Sequence, residues 1–307
     1  MGTKEGLAHL LLAVLSPGST VLVPTPAYPV HTAAVFLAGA SFVGVPIDQS
    51  DNFFKRFSQR FENTWPRPTM AIMSFPHNPT TTVVDKSFWE RLLSFCKKKN
   101  IFLVHDFAYA DLVFDSSAAQ SVLSVPGAKE LAVETYSLSK GFGMGGWRIG
   151  VVAGCPELVA ALKRIKGYLD FGAFQPLQLG AAAVLEQPHA ELEESISETV
   201  EEYRSRRDCL AVGLQRMGWD VHVPRGSIFL WARLPEGLRE MGSLESARLL
   251  LEGAQVAICP GEGFDIDARE YMRFALVEAE PRIHMALKRM EAFIGQGEEI
   301  TPARKIA

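Results

Sequence analysis

Cysteine is scarce and never clustered: Cys96, Cys155, Cys209 and Cys259 are the four in 307 residues. That separation excludes a metal-ligand spacing and a dense disulfide framework, and it reads as reduced thiols in a cytoplasmic protein. No apolar run is long enough to span a membrane. The opening imitates a secretory leader, with Lys4 ahead of LLLAVL, but Glu5 and His9 interrupt it and no small-residue cleavage site follows. A myristoylation signal fails at Gly6, where Ser or Thr is needed. Excess positive charge is missing too, and a net charge of −4 argues against a nucleic-acid surface. The one compact basic run, Lys97-Lys98-Lys99, closes a predicted helix, where cations suit the dipole. There is no internal repeat, and the one biased stretch is the polar segment from residue 295 onward.

What is present is the composition of a soluble globular protein, 48% hydrophobic and 21% charged, long enough for one large domain or two ordinary ones. Short branched runs at 20–24, 41–47, 69–75, 101–106, 131–138 and 148–154 alternate with helical patterns such as 5–16, 28–38 and 87–99. That rhythm predicts an α/β domain with a mostly parallel sheet covered by helices on both faces. Beyond Gly154 the pattern turns helical, over 156–168, 174–186 and a long charged stretch near 190–217. Four further strand-like runs and two helices then suggest a smaller α+β domain. The division is placed at 1–187 and 188–307, the long helix connecting the two.

Lys140 and Arg148 stand in a stretch, TYSLSKGFGMGGWRIGVVAG, otherwise made of small polar residues, glycines and apolar side chains. Long cationic groups are almost never fully buried unless paired, so a resident anion or reactive carbonyl is implied. Gly141, Gly143 and Gly146 match the dinucleotide-binding G-x-G-x-x-G, but that fingerprint needs a helix next and here a strand follows.

In open α/β sheets ligands gather beyond the carboxyl ends of the strands. There the sequence sets Tyr28 after the first run, Asn78 after the third, Asp106 and Tyr109 at the fourth, and Ser137 and Lys140 at the fifth. Each has an ordinary reading alone: Asp106 as a helix cap, Asn78-Pro79 as a turn, Tyr28 as core, Arg273 as a strand-face ion pair. Together they match the needs of pyridoxal 5′-phosphate, namely an amine for its aldehyde, a carboxylate for its pyridine nitrogen and donors for its phosphate.

The motifs GTKEGLAHL, PTPAYPVH, FPHNPT, VHDFAYADL, SLSKGFGMGGWRIG and MRFALVE, in that order, resemble the fold-type I, class I/II pyridoxal-phosphate aminotransferases. Within that family the similarity is greatest to the bacterial alanine (glutamate–pyruvate) transaminases. The resemblance implies that Lys140 forms the Schiff base and shuttles the proton, and that Asp106 pairs with the pyridine nitrogen. It implies that Asn78 and Tyr109 bond the phenolic oxygen and that Tyr28 stacks on the ring. Gly2, Thr3, Lys4, Ser137 and Arg148 would hold the phosphate. Arg273, with Asn78, would bind the substrate, the arginine gripping its α-carboxylate. His77 and His105 are left as packing residues, and no metal is called for.

The implied activity is L-alanine with 2-oxoglutarate giving pyruvate and L-glutamate, in a cytoplasmic homodimer whose partner faces segment 168–180. Aspartate and LL-diaminopimelate aminotransferases are alternatives. Family members carry a segment ahead of the phosphate turn, and this sequence starts at that turn. A weak dimer, a poor enzyme, or a non-catalytic protein of this fold is the corresponding expectation. Thr81 stands where many relatives have glycine, and must avoid a positive φ or carry its strain.

Overall fold

The computed structural model describes residues 2–47, 52–115 and 119–295. Six branched runs become β1 (Thr20–Thr25), β2 (Ser41–Pro46), β3 (Met70–Met73), β4 (Phe102–Phe107), β5 (Ala132–Ser137) and β6 (Gly150–Gly154). They form one sheet in the order β2-β1-β3-β4-β5-β6. The five strands from β2 to β5 pair in parallel, and β6 runs antiparallel to β5, with Ser137 opposite Gly150. The expected mostly parallel sheet is therefore present.

Side chains alternate across this sheet, so each strand feeds two cores. From β1, Val21 and Val23 join Leu7, Leu10, Leu11, Leu158 and Leu162 of α1 (Gly2–Val14) and α6 (Pro156–Leu169). Leu22 points the other way, toward Phe57, Phe61, Trp89 and Leu92 of α3 (Phe53–Asn63) and α4 (Lys86–Lys99). Each such side chain contributes roughly 2 kcal/mol by leaving water. The Asp85 carboxylate caps α4 by accepting from the Phe88 N–H at 2.9 Å. The basic run at its end is solvated and paired, Lys97 with Glu130 at 2.7 Å and Lys99 with Glu62 at 2.6 Å. Helix α2 (Pro29–Leu37) lies between β1 and β2, and α5 (Leu138–Gly141) is a single turn after β5.

The chain divides into two compact units, Met1–Arg204 with Pro224–Phe229, and Ser205–Val223 with the residues from Leu230 onward. The sequence-based division at 187/188 differs from this. After α7 (Gln175–Leu185), the helix α8 (His189–Arg216) is continuous through that point. Its residues Val200 and Tyr203 pack against Tyr109, Leu112 and Ile228 of the first unit. Its later residues Leu210, Ala211 and Leu214 are buried in the second. Polar composition near 190 marks an exposed helical stretch there, not a seam.

The second unit holds β7 (Asp220–Val221), β8 (Phe229–Arg233), β9 (Cys259–Pro260) and β10 (Tyr271–Ala275) in a sheet ordered β7-β8-β10-β9. The pairs β7/β8 and β9/β10 are antiparallel. Helices α9 (Glu236–Arg239), α10 (Gly242–Ala254) and α11 (Glu280–Gly295) complete it, around Leu230, Met272, Phe274, Leu250 and Ile283. Among the described residues no helix is long and apolar enough to cross a membrane.

Candidate active site

Register places the first functional pair. Asp106 on β4 lies opposite Thr135 on β5, and the Thr135 hydroxyl donates to Asp106 Oδ1 at 3.1 Å. The other oxygen, Oδ2, accepts from His31 Nε2 at 2.9 Å. The ring N–H must be the donor, because an ionised carboxylate has no proton to give. Burial pushes the Asp106 carboxyl up, but the His31 bond and charge, the Thr135 hydroxyl and His105 outweigh it and hold the group below its usual range. A buried, ionised carboxylate thus stands at the end of a central strand.

His31 is the functional neighbour that sequence reasoning missed. It sits on α2, 2% exposed, with its ring edge-on to Tyr28 at 5.4 Å. The signal was the three-residue spacing in YPVH, which puts Tyr28 and His31 on one side of the helix start. Lys4 Nζ lies 5.9 Å from the centroid of that same Tyr28 ring. The first helix therefore meets the β1 strand end at this tyrosine.

Beyond β3 the chain makes the tight loop 76–82. His77 N–H donates to Thr82 O at 2.9 Å, and Thr81 N–H to His77 O at 2.8 Å. Asn78 is buried at its tip, 3% exposed. Thr81 has φ 62 and is buried, so the strained alternative for this position is the one observed. A β-branched residue there costs about 1–3 kcal/mol.

His77 shares a 2.8 Å hydrogen bond with Thr80 Oγ1. Burial, and secondarily the charge of His31, push its pKa from 6.5 down to about 3. The folded chain then takes no proton at His77 where the unfolded chain does, so stability is lost as pH falls from 6.5 toward 3. Between pH 6.5 and 5 this one group should remove about 2 kcal/mol. Urea unfolding at both pH values should show His77→Asn losing less stability than wild type by about that amount. Equal losses would contradict the assignment. His105 is packed between Trp89 and Phe107, at 4.4 and 4.6 Å, with Nδ1 on Glu134 and Nε2 on the Phe75 carbonyl.

After β5, Ser137 Oγ accepts from Ser139 N–H at 3.2 Å and starts the turn that carries Lys140. Leu138 anchors the turn among Met144, Ile149 and Ala181. Lys140 is half-buried. Downstream, Arg148 adopts φ 54, and its Nη1 donates to Gly145 O at 2.8 Å.

The first turn of α1 lies against this segment. A Cβ on Gly2, whose φ is +70°, would fall 2.9 Å from Arg148 Nη2. One on Gly150 would meet Thr3 Cγ2 at 2.6 Å and Tyr136 O at 2.8 Å. Glycine at these two positions lets the first turn of α1 approach both Arg148 and β6. A helix start beside a guanidinium is a grouping suited to cradle an anion.

Tyr109 is buried against Phe229, ring centroids 5.9 Å apart. The contacts therefore join Gly2 with Arg148, Lys4 with Tyr28, and Tyr28 through His31 with Asp106, all in the first unit. Arg273 lies in the second unit, on β10 opposite Cys259. Its Nη2 donates to Cys259 Sγ at 3.6 Å, and its guanidinium carbon lies 4.6 Å from the Phe264 ring centroid.

The family described as aminotransferase class I and II matches residues 1–289. The chain is 44% identical over 292 residues to the glutamate-pyruvate aminotransferase AlaC of Escherichia coli, covering 95% of this chain and 70% of that protein. It is 35% identical over 290 residues to the LL-diaminopimelate aminotransferase of Natranaerobius thermophilus, covering 94% and 73%. Among solved structures it resembles a probable N-succinyldiaminopimelate aminotransferase from Thermus thermophilus, with TM-score 0.84, 34% identity and coverage of 95% and 76%. An aromatic aminotransferase from Pyrococcus horikoshii aligns with TM-score 0.89 at 26% identity, covering 96% and 78%. The chain belongs to the class I and II aminotransferases, enzymes of the pyridoxal-phosphate-dependent fold type I.

Proposed function

We propose that the chain moves the amino group of L-alanine to 2-oxoglutarate, giving pyruvate and L-glutamate. The observation that carries this choice is the 44% identity to a glutamate-pyruvate aminotransferase over 95% of the chain. Relatives described as LL-diaminopimelate aminotransferases, 33–36% identical, support a second reading in which that diamino acid is the donor.

The residues fit the family's cofactor. Pyridoxal 5′-phosphate presents a dianion, which suits the cradle of Gly2, Thr3 and Arg148, and a basic ring nitrogen, which suits an ionised, buried Asp106. When bound, the cofactor supplies an electron sink and a carbonyl that carries the amino group between the two half-reactions.

Lys140 is assigned the covalent attachment and the proton transfer from substrate Cα, taken and returned by its Nζ. Asp106 would keep the ring nitrogen protonated, while His31 and Thr135 hold both its oxygens in place. Ser137 and Lys4 would add donors at the phosphate, Tyr28 would stack on the ring, and Asn78 and Tyr109 would hydrogen-bond the phenolic oxygen. Arg273 is assigned the substrate carboxylate, which its guanidinium fork matches, and Asn78 is assigned separately as a substrate contact from the first unit.

The working unit is assigned as a homodimer, supported by the exposed apolar side chains Tyr168, Phe171, Phe174 and Leu179 in segment 168–180. A cytoplasmic setting is supported by four free cysteines.

The test pairs 2-oxoglutarate with L-alanine, L-aspartate and LL-diaminopimelate on protein loaded with cofactor and sized in solution. The expected result is a dimer with kcat/KM for alanine at least about tenfold above the others, which is only 1.4 kcal/mol of discrimination. Preference for diaminopimelate moves the assignment to the second reading. Cofactor binding without any turnover makes this a non-catalytic protein of the fold.

A further inference from the structure

The turn bearing Lys140 is only four residues long, Leu138–Gly141. One helical turn does not hold itself together in water, because fixing its dihedrals is repaid by a single hydrogen bond. Its position has to be imposed from outside. Ser137 and Leu138 fix its beginning. At its far end stands a carboxylate from another part of the chain.

Asp111 lies in the segment that follows β4, five residues beyond Asp106. Its Oδ2 accepts a 2.9 Å hydrogen bond from the Tyr136 hydroxyl. Its side chain also abuts Gly141: a Cβ there would lie 2.9 Å from Asp111 Cβ and Cγ, too close for any other residue. Tyr136 precedes the turn and Gly141 ends it, so one side chain touches the loop on both sides of Lys140.

We infer that Asp111 is a positioning residue for Lys140, closing the loop between Tyr136 and Gly141 so that the amine stands at a fixed height over the strand ends. The inference rests on the proposed role of Lys140 as the reactive amine.

The energetics favour a functional reading of the pair. Burial pushes the Asp111 carboxyl above its usual range, and the Tyr136 hydroxyl pulls it only part of the way back. The phenol in turn is pushed up by burial and then by Asp111, so it remains a donor. Replacing both members of a half-buried polar pair with apolar groups of the same shape is often nearly neutral, so stability alone gives little reason to keep it. A clamp on a reactive side chain gives one, since displacement by about 1 Å can cost on the order of 100-fold in rate.

The experiment compares Asp111→Ala, Asp111→Asn and Tyr136→Phe in the full chain. Asparagine keeps the shape and an oxygen that can accept from Tyr136. Alanine should lower kcat roughly 10- to 100-fold with substrate KM within about threefold, and asparagine should restore most of it. Hydrogen exchange of amides 138–142, measured without cofactor, should quicken in Asp111→Ala and Tyr136→Phe but not in Asp111→Asn. That readout is independent of activity, and Tyr136→Phe keeps the bulk of the site should Asp111→Ala fail to fold.

Unchanged exchange and kcat in both loosening variants would overturn the inference. Equal losses in alanine and asparagine, with a displaced pH profile, would overturn it in favour of a charge acting at a distance. Lys140→Ala serves as the separate control. If that variant keeps its activity, the role of Lys140 fails, while the exchange comparison still decides whether Asp111 holds the loop.

Discussion

Lys140→Ala is expected to lose transamination by about 10,000-fold or more, because one side chain is assigned both the covalent attachment and the proton transfer. The fold should survive. Lys140 is half-buried on a short helical turn, and alanine is the best helix former. The cofactor should still bind, since the cradle at Gly2 and Arg148 and the carboxylate of Asp106 are untouched. Turnover with alanine and 2-oxoglutarate reads the loss, and cofactor retained through gel filtration reads the binding. Borohydride reduction of the loaded wild-type protein followed by peptide mapping should mark Lys140. A label on another lysine, or residual turnover within about tenfold of wild type, would remove Lys140 from the role.

Lys140 stood out in the sequence because its neighbours there are small polar residues, glycines and apolar side chains, which offer a lysine no ordinary partner. The same logic applied to the strand ends, and β1, β3, β4 and β5 lie within one or two residues of their sequence-derived limits. Helix α3 was not read, although Phe53, Phe54, Phe57 and Phe61 have helical spacing and two of them are buried. Its phenylalanines and arginines look like neither a typical apolar helix nor a strand, and its N-cap residue, Asn52, makes no side-chain capping hydrogen bond. Strand β6 was read, at 148–154, but its antiparallel direction was not, since direction depends on how the loop around Arg148 turns back and not on the composition of the strand.

Side-chain partnerships across the sequence were hidden for a different reason. His31 and Asp106 are 75 positions apart, and Asp111 and Tyr136 are 25 apart. Neither pair has a local pattern that announces it. Both become visible once the parallel register brings β1, β4 and β5 to one end. Thr81 shows a limit of another kind. Its sequence announces strain only if the backbone demands φ > 0, and nothing local says that it does.

Asp106→Asn is the second large effect expected, on the order of 100- to 1,000-fold in kcat. Removing one preorganised group that stabilises transition-state charge in a buried site costs about 3–4 kcal/mol of barrier, and each 1.4 kcal/mol is a factor of ten. The amide occupies the same volume and its oxygen can still accept from Thr135 or His31, so folding should change little. What is lost is the negative charge that would keep a ring nitrogen protonated. The sign of the pH dependence follows from the depressed pKa of Asp106. A carboxylate held below its usual range stays ionised there, and its contribution disappears only as pH falls through that lowered value. Wild-type kcat should therefore persist on the acid side, beyond where an ordinary aspartate would protonate. Burial is the largest influence on this group and acts upward, and His31 is the chief opposing one. Without the imidazole, in His31→Leu, burial should dominate and the acid limb of kcat should move to higher pH. An acid limb unmoved in His31→Leu would separate His31 from the electrostatics of Asp106, and near-normal turnover in Asp106→Asn would take the electron-sink role away from the carboxylate.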